Sequence, residues 1–247
     1  MSCVRLARSC GLFTFALVFV ICALASVGVH AASQESYSSS SSSGSSAAHK
    51  STGNALGPGS VSKDVYRNSF FGFACKIPAG WVLRTEEMNE QASSARPVEE
   101  SNRATPDRTA EGGCPHTGVC GRVLLAAFSR PPMAHGEDVN SSILIAAEKT
   151  AAYPGLTDAA QYFGPVTEVA KAQGFGVDEE PYEFAVGSKT LVRGDFEKNV
   201  GTRVMHQSTL VMLAHGYVVS FTFIGGTEDE VEELVQGLSF VPAKAAR

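Results

Sequence analysis

The 247-residue chain carries 20 basic and 25 acidic residues, a net charge of −5. Setting aside its first 31 residues, which hold Arg5 and Arg8 and no acid, takes the remainder to −7. With no Lys/Arg cluster to offset it, this balance argues against a surface that tracks nucleic-acid phosphates, so no nucleic-acid partner is expected.

Residues 1–31 read as a secretory signal peptide. Arg5 and Arg8 supply the positive start, and Gly11 to Val29 is an uncharged apolar run. Val29-His30-Ala31 then sets small residues at the −3 and −1 positions of a cleavage site. The competing reading is a retained anchor, because the run is close to the ~18 residues that can span a bilayer. Contact with a membrane is expected only through this segment. A secreted or periplasmic protein follows. Residues 32–62 are a Ser/Gly/Ala tether that cannot bury enough apolar surface to offset its ordering entropy.

Residues 63–245 form the expected domain. Val65 to Lys76 predicts one or two short strands, Ile77 to Trp81 a turn around Pro78 and Gly80, and Trp81 to Leu83 another strand. Residues 88–120 lose apolar periodicity and read as a flexible insertion. Val123 to Phe128 is a compact apolar strand, and Ser142 to Ala147 a short strand or a loop end. Thr157 to Gln173 reads as helical with Ala160, Phe163, Val166, Val169 and Ala170 near one face, broken by Pro165 into a kinked helix or two short ones, and capped by Gly174.

The last third predicts two hairpins. Pro181 to Val186 and Lys189 to Phe196 meet at Gly187-Ser188, and Thr202 to Leu213 and Tyr217 to Ile224 meet at His215-Gly216. Alternation places Tyr217, Val219, Phe221 and Phe223 on the core face of the last strand. Thr227 and Glu230 have capping-box spacing at the start of a helix, whose Val231, Leu234, Val235 and Leu238 must pack on the sheet. The fold class is therefore α+β: an antiparallel β-sheet of meandering hairpins flanked by helices.

Several motifs carry a likeness: Tyr66-Arg67-Asn68 with Phe71-Gly72-Phe73, Ile77-Pro78-Ala79-Gly80-Trp81, Gly216-Tyr217, Phe221-Thr222-Phe223, and the acidic helix leading to Leu238-Ser239-Phe240. Together they resemble the PsbP/Mog1-like superfamily, including its exported bacterial-type members, over residues 64–242. The resemblance implies an α/β/α sandwich. It also implies non-catalytic work, since one branch assists the photosynthetic oxygen-evolving complex and another binds a small GTPase. Neither branch's binding motif is recognisable in this chain.

The sharpest chemical candidate is the loop from Cys114 through His116 to Cys120. Two thiols and an imidazole within seven residues suit a metal or thiol-redox site, while the same two cysteines suit a plain Cys114–Cys120 disulfide in an oxidising compartment. Cys75 then remains as a buried free thiol. His206 reads as a strand residue, His215 as a turn residue, and Ser129 and Ser208 as ordinary strand positions, because no nucleophile elbow is present. Asp195, Glu197, Glu179 and Glu180 read as solvated charges, as do Glu232 and Glu233. Gly225-Gly226 lacks the Lys and Ser/Thr of a phosphate loop. Asn140-Ser141-Ser142 matches a glycosylation sequon. No catalytic residue and no cofactor is assigned. The expectation is a non-enzymatic exported domain that binds a protein or small ligand, with a metal-binding or redox protein as the alternative.

Overall fold

The computed structural model describes residues 56–57, 59–94, 121–131, 134 and 139–240. The expected signal peptide, most of the tether, and residues 95–120 with Cys114, His116 and Cys120 lie outside the described residues. No helix among the described residues is long and apolar enough to cross a membrane.

Two antiparallel sheets are present where a single one was expected. The smaller has the order β1-β2-β3-β11, from Ser60–Ser62, Val65–Asn68, Phe73–Lys76 and Leu238–Phe240. The larger has the order β4-β5-β6-β10-β9-β8-β7, from Val82–Leu83, Gly121–Phe128, Ser142–Lys149, Tyr217–Gly225, Arg203–Ala214, Lys189–Val200 and Gly176–Val186. The class is α+β as expected. The second sheet escaped sequence reading because β11 is three residues long and pairs with β3 across the whole length of the domain, Leu238 opposite Cys75. Strand β1 lies inside the segment read as tether; Ser60 opposite Arg67 sets its register.

Among the described residues the α-helices are α1 (Thr85–Ser94), α2 (Phe163–Ala172) and α3 (Glu228–Gln236). Helix α1 runs into the segment expected to lose pattern at residue 88. Its single large apolar side chain there, Met88, is buried against Val123, Ala126, Phe128 and Leu144, which is too little periodicity to read from sequence. The segment is two short helices, a 3-10 turn at Ala160–Tyr162 followed by α2, and the break falls before Phe163 and not at Pro165. The helix starts at Phe163, so Pro165 falls in its first turn, where the missing N–H has no partner to lose. Gly174 follows it with φ 84°, as a left-handed cap requires.

Both faces of β10 are covered, as an α/β/α sandwich expects, although alternation by itself assigned only one set of its side chains to a core. Val219, Phe221 and Phe223 face the small sheet and α3, joining Phe73, Cys75, Val231, Leu234 and Val235. Val218 and Ile224 face the other way, with Phe163, Val166 and Ala170 of α2. The polar side chains on that second face, Ser220 and Thr222, are buried as well. Alternation correctly split the two sets, but Ser and Thr gave one of them the pattern of a solvated face.

The outermost strand, β7, carries exposed Asp178, Glu179, Glu180 and Glu183, and its register against β8 shifts twice on either side of Glu179. Against α2, Gly194 of β8 provides the room for a ring: a Cβ there would stand 2.5 Å from Cε1 of Phe163.

Candidate functional site

Three groups of side chains stand out from the apolar packing. The first lies between the sheet and α3. Arg193 of β8 donates from Nε to both Asp195 oxygens, at 2.9 and 3.0 Å, and from Nη2 to Ser208 Oγ at 2.9 Å. Its guanidinium also pairs with Glu232 of α3 and lies 4.9 Å from the centroid of Phe184. Tyr182 and Ser208 both donate to Asp195, the former at 3.0 Å. Burial pushes the Tyr182 phenol up to about 12, with the Asp195 charge adding to it. Asp195 is therefore not the solvated charge that the sequence suggested, and Ser208 is buried beside it, whereas the Glu232 side chain stays 43% exposed. Residues two apart on β8 share a face, and Ser208 stands directly opposite Asp195 on β9. The group is a closed clamp between sheet and helix.

The second group lies on the opposite face of the sheet. Glu148, at the end of β6, is buried. Tyr162 donates to its Oε1 at 3.2 Å and Tyr153 donates to its Oε2. Gly121 of β5 makes room for its stem, since a Cβ there would stand 2.8 Å from Glu148 Cγ. Desolvation raises the Glu148 carboxyl above the usual range, and the two phenol hydrogen bonds lower it by less. Both tyrosines are pushed up in turn, by burial first and by the Glu148 charge second. Because the folded-state value lies above the unfolded one, the fold favours neutral Glu148, and stability is lost as pH rises through the raised value. Glu148→Gln is accordingly expected to raise stability at pH 8 and to change it little at pH 4, as read from urea unfolding midpoints at the two pH values. A variant weakened equally at both would contradict this.

The third group is at one end of the molecule. The loop after β2 carries Phe70, 40% exposed, edge-on to buried Phe71 at 4.8 Å. Phe70 lies 5.0 Å from the His215 ring and 6.2 Å from Tyr217. His215 and Gly216 both have positive φ, 52° and 77°, which gives the β9–β10 hairpin its tight tip. Asn68 supports the loop by accepting from Phe71 N at 3.1 Å. Leu56 and the start of β5 lie at the same end: Arg122 donates to Leu56 O at 3.5 Å, and β5 starts at Gly121.

His215 is at the hairpin tip and His206 on β9, with no shared site between them. Ser129 bonds Asn140 at 3.0 Å, and the Asn140 amide donates to Arg130 O, so the sequon side chain is tied into its own loop. Cys75 is buried and free, as expected, and burial pushes its thiol up to about 12. Glu230 uses its carboxylate on Gly226 N at 2.9 Å while Thr227 accepts from Glu230 N at 3.2 Å, a capping box displaced by one residue. No group of three or more His, Cys, Asp or Glu among the described residues is placed to hold a metal. Sequence reasoning missed Arg193, Glu148 and Phe70. A lone carboxylate ending the apolar run Ile143 to Ala147 was the one usable signal for Glu148.

No protein-family model matches the chain, and no curated protein matches it. Solved structures do. The cyanobacterial PsbP of Synechocystis is 16% identical, with 77% of this chain and 99% of that one covered at a TM-score of 0.40. The Ran-binding protein Mog1p of Saccharomyces cerevisiae is 13% identical, with 69% and 90% covered at 0.36. LpqN of Mycobacterium tuberculosis, involved in cell envelope biogenesis, is 14% identical, with 50% and 79% covered at 0.31. At these identities the likeness concerns the fold, and at these TM-scores it says nothing of activity.

Proposed function

We propose that this chain is a non-enzymatic binding or accessory domain, exported and held on its Ser-rich tether, whose contact surface is the end carrying Phe70, His215 and Tyr217. One observation carries the reading. Phe70 is a large apolar side chain left in solvent yet braced by three rings, whereas the buried charges elsewhere are engaged by their own neighbours. Aromatic anchors fixed before binding are what a protein contact uses, because little side-chain entropy remains to be lost.

The test is retention of one defined protein from the host's exported fraction on the immobilised chain. Phe70→Ser is expected to lower retention about tenfold, the effect of a modest binding hot spot, with the unfolding midpoint unchanged. Equal retention by both proteins overturns the reading, and so does turnover on a hydrolase panel. Zinc or copper bound through Cys114, His116 and Cys120 would support the metal reading instead.

A further inference from the structure

The last row of side chains on the Phe70 face of the large sheet has an ordered charge pattern. Lys149 of β6 stands opposite Tyr217 of β10, and Tyr217 stands opposite Ala214 of β9. The β8–β9 pairing begins at Val192 opposite Val211; its register carried three residues further would set Lys189 beside Ala214, and Lys189 itself stands opposite Val186 of β7. Alternation puts both lysines on the side of Tyr217: Ile145 and Ala147 precede Lys149 on that face, and Leu191 follows Lys189 on it. Both are exposed. Neither is paired with a carboxylate among the described residues, and the row contains none.

In that extended register three strand spacings separate the two lysines, about 14 Å at ~4.8 Å each. The aromatic group of Phe70, His215 and Tyr217 lies between them. An extended chain advances ~3.4 Å per residue, so four residues also cover about 14 Å, and residues 1, 3 and 5 point the same way. We infer that this end of the domain receives an extended segment of a partner protein with the pattern acidic-x-aromatic-x-acidic, its two carboxylates on Lys149 and Lys189 and its ring against Phe70. The charge is complementary in the sense that matters for an otherwise acidic chain of net −5: the row is one from which carboxylates are absent. The inference rests on the contact-surface reading above and adds the chemistry of the partner.

The probe is a fluorescein-labelled peptide containing Glu-Thr-Phe-Thr-Glu, followed by anisotropy on the full chain. It is expected to bind, about tenfold more weakly at 0.5 M than at 0.05 M salt, because exposed pairs are screened. The double variant Lys149→Glu with Lys189→Glu is expected to lose it about tenfold or more and to take up the Lys-Thr-Phe-Thr-Lys peptide in its place. Equal binding of Glu-Glu-Phe-Thr-Thr, which has the same composition but the wrong spacing, overturns the inference. Binding to phosphatidylglycerol vesicles with no binding to the peptide also overturns it, in favour of a lipid surface. If Phe70→Ser abolishes retention of the natural partner while charge reversal leaves it intact, the contact surface stands and the acidic partner falls. If neither change matters, both fall.

Discussion

Arg193→Leu is expected to destabilise the domain by about 3 kcal/mol, at the low end of what removing one partner of a buried ion pair costs. The reason is what stays behind. Arg193 has a side chain 8% exposed and Asp195 one 15% exposed. Without the guanidinium, Asp195 keeps Tyr182 and Ser208 as donors but has no counter-charge. Glu232 contributes little to the sum, because its side chain is 43% exposed and water replaces its partner. The diagnostic comparison is the double variant Arg193→Leu with Asp195→Leu. It removes the orphaned charge and is expected to be more stable than the single one, since apolar groups substitute well for buried pairs. Urea unfolding of the three proteins decides. A single variant within about 1 kcal/mol of the unchanged chain would show that the clamp contributes no more than a surface pair.

Phe73→Ala is expected to cost about 3–5 kcal/mol, as emptying a packed aromatic site does. Phe73 is 1% exposed and joins the two sheets: it meets Phe221 of the large sheet edge-on at 4.9 Å, with Tyr66 at 5.8 Å and Phe240 at 6.3 Å around it. The loss should be uneven. Strands β1, β2, β3 and β11 depend on this ring, whereas β8 and β9 are held from the other face by α2. Hydrogen exchange is expected to accelerate in the small sheet well before β9 and β10. Uniform acceleration would mean that the two sheets unfold as one unit. Phe73→Leu, which keeps most of the volume, should cost less than about 1.5 kcal/mol.

Much of this architecture was readable because it is local. The two hairpins, the capped helix ending in Gln236 and the apolar strand at Val123 each announce themselves within a dozen residues. What escaped reading depends on distant pairing. Nothing near Leu238 says that it pairs with Cys75, and nothing in Ser220 or Thr222 says that a helix lies over them. The same holds for the sites. Asp195 read as solvated because two of its partners come from β7 and β9, and the third, Arg193, two residues away, reveals itself only once a strand is assumed. Phe70 lies in the Val65 to Lys76 run, where nothing local sets it apart from Phe71. Only the loop geometry, with Asn68 turning the chain, sends one ring inward and the other out.

Strand β7, outermost in the large sheet, presents four carboxylates and Pro181, and its register slips on both sides of Glu179. At the other end of that sheet, β4 is two residues long. A strand that cannot donate at its proline, repels a like neighbour and bends out of line makes a poor template for another copy. Molecules crowded together therefore gain nothing by stacking their sheets into a continuous ribbon, and a concentrated preparation is expected to stay free of ordered aggregates so long as those carboxylates remain ionised.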